Sequence, residues 1–275
     1  MGLDFVSLLD HGLADSAEVL TRGFADYFVP IALTPASLAQ MARVDSVDLA
    51  ASRIFVRDGV PVGGALIARR GWTARLAGMA VVAEARRAGV GRAAVVRLLA
   101  EARERREQTM VLEVIAANAA AVSLYEACGF RTVRRLLGFA GPGVADGNVP
   151  SGLVEVDLRE MAEVVTHDGR RDLPWQISGE TLAQLSPPHV AFRLRGSWIA
   201  LSDPTGPVVT IRGLITEHHV QGQGRAAALI RAVMARYPGK EWRVSAVWPE
   251  ELADVIEQAG LSRSELTQWQ METTL

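Results

Sequence analysis

Apolar residues recur along the chain in two rhythms, one of period two and one near 3.6, and the changes between them outline the elements. Residues 3–9 read as a strand, and residues 13–28 and 34–44 as helices, the second capped by Thr34 ahead of Pro35. Residues 52–57 and 62–68 form the arms of a hairpin around Asp58-Gly59, a dipeptide suited to a tight turn. The apolar run 76–82 leads through the charged segment 84–87 into a helix over residues 91–107, whose Val95, Leu98, Leu99 and Ala102 share one face. Residues 111–115 then read as a strand and residues 119–127 as a helix.

Residues 138–152 break the pattern with five glycines, Pro142 and Pro150, the composition of a linker or long loop. Beyond them the order starts again: a hairpin over 190–201, a strand over 208–215, a helix over 224–236, a strand over 243–248 and a helix over 250–258. The restart carries a repeat, because Gly89-Val-Gly91-Arg-Ala-Ala94 returns as Gly222-Gln-Gly224-Arg-Ala-Ala227 at an offset of 133. The pattern therefore predicts two copies of one αβ unit, residues 1–147 and 148–275.

With 49% hydrophobic and 22% charged residues among 275, the chain has the composition of an ordinary globular protein, which excludes disorder and fibrous architecture. Its formal charge of -2 gives no electrostatic reason to expect a nucleic acid or an anionic membrane as partner. Cys128 is the only cysteine, so an internal disulfide and a cysteine-based zinc cluster are both ruled out, and a reducing, cytoplasmic location is expected. As a small residue at a helix end it reads as packing rather than as a nucleophile. The run Glu217-His218-His219 lacks helical ligand spacing and a third partner, so no metal is expected.

Glycines just ahead of a helix suit an anion, because the backbone can close on a phosphate while the free N–H groups of the first turn face it. Gly89-x-Gly91-x-x-Ala94, with Glu113 following, also satisfies a dinucleotide fingerprint, but six residues separate Val82 from Gly89, where that fold has its glycines leave the strand directly. Arg86-x-x-Gly89-x-Gly91 resembles the acyl-CoA pyrophosphate motif of the GNAT superfamily of N-acetyltransferases. Asn118-x-x-Ala121-x-x-Leu124-Tyr125-x-x-x-Gly129-Phe130 resembles the C-terminal motif of the same superfamily, and the elements before it run in the family's order over residues 3–140. One departure is Ala83, where the family often has proline after the CoA-binding strand.

The resemblance implies an α/β (α+β) fold of two tandem GNAT-like units, each a mixed, mostly antiparallel sheet flanked by helices, and acetyl-CoA as the donor. Strands 76–82 and 111–115 should splay to admit the pantetheine arm, with backbone groups near Met79 and Val81 pairing with its amides. The amides of Gly89, Val90 and Gly91 should hold the pyrophosphate, assisted by Arg86, Arg87 and Arg92. Asn118 should cap the following helix and can also reach pantetheine. Tyr125 matches the tyrosine that protonates the departing CoA sulfur in many family members. Glu113 matches the general base of the bacterial enzymes that acetylate a ribosomal protein's N-terminal amine, while the alternative base position falls near Arg75, which cannot serve.

At the 133 offset Glu113 maps to Ala246 and His219 replaces Arg86, while Tyr125 maps to Ile256 or Gln258. The second copy is therefore expected to be degenerate and one CoA to bind per chain. The functions in play are acetyl transfer to a small-molecule or peptide amine, non-catalytic acyl-CoA binding or regulation, and dinucleotide binding. Phe24, Tyr27 and Phe28 read as core or as walls of the acceptor pocket. Five of the six tryptophans fall in the second half and read as core or domain interface.

Overall fold

A computed structural model describes residues 2–143 and 148–275. The chain forms two compact units, residues 1–133 with 269–275, and residues 134–268. The expected boundary at 147/148 falls at the edge of 144–147, which lie outside the described residues; the units instead divide at Val133 and Arg134.

The first unit opens with β1 (Leu3–Ser7), α1 (Leu8–His11), α2 (Leu13–Gly23) and α3 (Pro35–Val44). The expected cap on α3 is present: Thr34 Oγ1 accepts from Ser37 N at 3.1 Å and Ser37 Oγ accepts from Thr34 N at 2.8 Å. There follow β2 (Arg53–Arg57), β3 (Val60–Arg70), β4 (Thr73–Val81), α4 (Val90–Glu104), β5 (Thr109–Ile115) and α5 (Ala119–Ala127). Strands β1 to β4 pair antiparallel in sequence order and β5 joins β4 in parallel. The apolar face read from the sequence is the buried one: Val95, Leu98, Leu99 and Ala102 of α4 pack with Leu76, Leu112 and Val114.

Two long strands went unread. Strand β6 (Arg131–Pro142) runs into the segment expected as a loop, and β12 (Ser262–Thr274) was not anticipated. Both are rich in polar or basic residues, and such strands form because neighbouring backbone pairs with them rather than from their own pattern. The last residues of β12 belong to the first unit, where Met271 is fully buried in the core and Leu275 N donates to Gln108 O at 2.9 Å.

The second unit contains β7 (Val154–Val156), α6 (Leu158–Asp168), α7 (Gly179–Leu182), β8 (Val190–Leu194), β9 (Ser197–Leu201), β10 (Val208–Thr216), α8 (Arg225–Arg236), β11 (Glu241–Pro249) and α9 (Ala253–Gln258). Strands β7 to β10 pair antiparallel, β11 joins β10 in parallel, and β6 pairs antiparallel with β11. Each unit is thus a mixed, mostly antiparallel sheet with helices. Trp175, Trp198, Trp242 and Trp248 are all buried in this unit. Among the described residues no helix is long and apolar enough to cross a membrane.

Candidate functional site

In the first unit the β4–β5 ladder covers four pairs and ends at Leu76 opposite Leu112. Residues 77–81 and 113–115 continue as strand without pairing with each other, so the two strands part as expected. The cause is visible one strand over: β3 pairs Leu66 with Gly78 but Ile67 with Leu76, leaving Ala77 as a bulge that bends β4 away. Residues 77–79 and Val81 are partly exposed along the opening, Met79 among them.

Helix α4 starts at the mouth of this opening. Gly89 is its N-cap with φ 78, and no side chain caps the helix. That conformation costs an L-residue roughly 1–2 kcal/mol, and a Cβ there would meet nothing within 4 Å. The first-turn amides, including those of Val90 and Gly91, thus carry the positive end of the helix dipole beside open space. Arg87 and Arg92 are exposed nearby.

Arg86 does more than face solvent. Its Nε donates to Val81 O at 2.9 Å and its Nη2 to Gly23 O at 3.1 Å, with Asp26 at 3.7 Å. The side chain braces the end of α2 against the end of β4, and the Val81 carbonyl is occupied by it. Asn118 caps α5 as expected, its Oδ1 accepting from Ala121 N at 3.2 Å. Its side chain also lowers the pKa of the Tyr27 hydroxyl, against burial, which has the larger effect and raises it.

Tyr125 is 7% exposed and packs edge-on against Phe130 at 5.7 Å. Burial, followed by the neighbouring Tyr27 and Cys128, holds its phenol well above the ordinary tyrosine range. Burial likewise raises the thiol of Cys128, against the influence of Arg92.

Glu113 has a partner that the sequence reading missed. Arg75 Nε and Nη2 both lie 2.8 Å from Glu113 Oε2, with the two side chains 8% and 3% exposed. The pairing follows from the register, which the structure fixes: Arg75 sits opposite Val111, so the residue two further on, Glu113, shares its face of the sheet. Tyr27 was read from the sequence as core or as a wall of the acceptor pocket. It forms an aromatic group with Phe24 at 5.2 Å and Phe28 at 5.6 Å, and Phe24 overlies Gly78 beside the bulge.

The second unit repeats these devices in a register other than 133. Gly224 is the left-handed N-cap of α8 as Gly89 is of α4, 135 residues apart. By the same spacing Arg86 corresponds to Gln221, not His219: both end a short 3-10 turn in extended geometry, and both donate to the carbonyl five residues back, Gln221 Nε2 to Thr216 O at 2.9 Å. Bulged Arg212 corresponds to Ala77. After the helix the spacing is 132, since Leu112 and Val244 are the last ladder partners of their strands, so Glu113 corresponds to Ser245 rather than Ala246. Gly129 and Gly260 follow matching turns, which aligns Tyr125 with Ile256.

Residues 25–130 match the model of the acetyltransferase (GNAT) family. No curated protein matches the chain significantly. Among solved structures, a GCN5-related N-acetyltransferase from Sphaerobacter thermophilus is 18% identical with a TM-score of 0.72, covering 99% of this chain and 95% of that one. A tandem GNAT protein from the clavulanic acid biosynthesis pathway is 16% identical with a TM-score of 0.66, covering 99% and 98%. A GCN5-related N-acetyltransferase from Anabaena variabilis is 16% identical with a TM-score of 0.61, covering 98% and 72%. At such identities these likenesses speak for the fold, and they extend over both units. The splayed strands and the uncapped glycine turn both fall within residues 25–130, the segment that matches the acetyltransferase (GNAT) family model, and the fold across both units is the one these solved acetyltransferase structures share.

Proposed function

We propose that the first unit transfers an acetyl group from acetyl-CoA directly to a primary amine of a small molecule or peptide. The observation that carries the reading is the opening between β4 and β5 running up to the uncapped start of α4, a slot for an extended arm that ends on an anion-binding pole. In this reading the amides of Gly89, Val90 and Gly91 receive the pyrophosphate, with Arg87 and Arg92 adding charge. The arm lies along residues 79–81, and Arg86 serves mainly to hold that edge in place.

The amine nitrogen attacks the thioester carbonyl, the carbon–sulfur bond breaks, the nitrogen loses a proton and the sulfur gains one. Tyr125 supplies the sulfur's proton. Phe24, Tyr27 and Phe28 form the acceptor side, and Glu113 receives the amine's proton through water. The alternative, an acyl-CoA-binding protein without transfer, is favoured by one observation: the Glu113 carboxylate is engaged with Arg75. Release of CoA above the hydrolysis background across a panel of amines distinguishes the two, and no release with any amine would remove the enzymatic reading.

Gly89→Glu is expected to abolish acetyl-CoA binding while leaving the protein folded. The new side chain meets no neighbouring atom but brings a negative charge to the anion pole. Calorimetry on the folded variant checks this, and an unchanged first-unit affinity would overturn the phosphate assignment. A thermal shift with acetyl-CoA and none with NAD is expected of the unmodified chain.

A further inference from the structure

The end of β12 is the neighbour of β5 in the first unit. One bond sets their register: Leu275 N, just past β12, donates to Gln108 O, just ahead of β5, at 2.9 Å, and strands joined in this way overlap only if they run antiparallel. Counting back along β12 and forward along β5 brings Met271 opposite Leu112, Trp269 opposite Val114 and Gln270 opposite Glu113. The core agrees with the count, because Met271, Leu112 and Val114 are buried together against α4 with Trp269 packed on them. Gln270 therefore faces the other way, on the side of the sheet that holds Arg75, Glu113 and, over Gly78, Phe24.

Opposed residues of an antiparallel pair have Cβ atoms about 4.5–5.5 Å apart, so Gln270 and Glu113 are immediate neighbours. Glu113 is the first residue of β5 past the last rung shared with β4, which puts both side chains where the opening begins. Gln270 is 8% exposed, and its Oε1 is buried with no hydrogen-bond partner among the described residues. Buried amide oxygens are nearly always paired, and one left unpaired is a standing cost to the fold that a ligand's N–H can remove. Glu113 Oε2 is bonded to Arg75, whereas the amide oxygen beside it awaits a donor.

We infer that Gln270 is an acceptor-binding residue: its Oε1 accepts a hydrogen bond from one N–H of the primary amine and so turns the nitrogen's lone pair toward the thioester carbonyl. An amide neither gives nor takes a proton in this role, so Gln270 binds and orients while the proton steps stay with Glu113 and Tyr125. A residue from the far end of the chain thus completes the acceptor face built by α2 and strands β4 and β5. This inference rests on reading the first unit as an amine acetyltransferase.

Steady-state kinetics of the full chain test it with Gln270→Met and Gln270→Leu, on whichever amine gives the fastest CoA release from the unmodified protein. Both side chains fill the buried space without an acceptor oxygen, so the denaturation midpoint should be unchanged or higher. For the amine, kcat/KM should fall about tenfold or more, mainly through its KM, with affinity for acetyl-CoA unchanged within about twofold. The loss should be equal at pH 7 and pH 9, because an amide does not titrate between them. Unchanged kcat/KM in both variants overturns the inference and leaves the first-unit reading standing. So does a lowered midpoint in both, which would make the amide part of the fold, or a loss that disappears at pH 9, which would make Gln270 act through Glu113. No CoA release from the unmodified chain with any amine overturns the transfer reading and the inference together.

Discussion

Exchange of Tyr125 for phenylalanine is expected to lower kcat by about a hundredfold or more, with affinity for acetyl-CoA unchanged within about twofold. The ring is buried against Phe130, and phenylalanine fills the same volume, so only the hydroxyl is lost and the fold survives. With reference values of about 10 for the phenol and about 8.5 for a thiol, proton transfer to the thiolate is uphill by roughly 2 kcal/mol. Burial raises the phenol further and widens that gap, so the transfer needs a thiolate desolvated in the same slot. The direction of the shift has a second consequence. A phenol held above its ordinary value keeps its proton throughout pH 6–10, so kcat should show no alkaline fall from this group below about pH 10. Wild-type kcat in Tyr125→Phe at every pH, under conditions where chemistry limits turnover, would leave Tyr125 a core aromatic.

Glu113→Gln is expected to destabilise the first unit by about 3 kcal/mol or more, because it removes the carboxylate charge to which the buried Arg75 guanidinium is bonded. Replacing both partners, Arg75→Met with Glu113→Leu, should recover most of the loss, since neither charge is then buried alone. Denaturant unfolding reads both values. A Glu113→Gln midpoint equal to wild type would show the pair to be structurally idle.

The kinetic effect of the same variant separates a base from a structural ion. A lysine-like amine of pKa about 10.4 needs roughly 4.6 kcal/mol to be neutral at pH 7, and an α-amine near 7.8 needs about 1. If Glu113 takes the proton and the acceptor is an α-amine, the loss in kcat should largely recover at pH 9. If Glu113 only anchors Arg75, the loss should persist at pH 9.

Local pattern made much of this molecule readable. Helices α4 and α5, the hairpin at Asp58-Gly59 and the cap at Thr34 all depend on residues close in sequence, so periodicity and capping chemistry were enough. The repeat was readable in existence but not in register. Helix α8 spans 12 residues where α4 spans 15, so no single offset aligns both its start and the strand beyond. Matching letters favoured 133, whereas cap dihedrals and ladder partners give 135 before the helix and 132 after it. Those features mark where backbone conformation is fixed, and the letters alone carry no such mark. Gln221 consequently went unrecognised as the counterpart of Arg86.

By itself the sequence determined the two-copy organisation, the order of strands and helices around each glycine turn, and the placing of Gly89 and Asn118 ahead of their helices and of Tyr125 within α5, because each depends on contacts within a few residues. Only the tertiary structure decided three things: that Arg75 neutralises Glu113 across the β4–β5 ladder, that Arg86 is bonded to the carbonyls of Val81 and Gly23, and that residues 269–275 complete the core of the first unit. Each joins groups that are distant in sequence or depends on which atoms a flexible side chain meets, and such pairings are set by how the sheet and its helices pack.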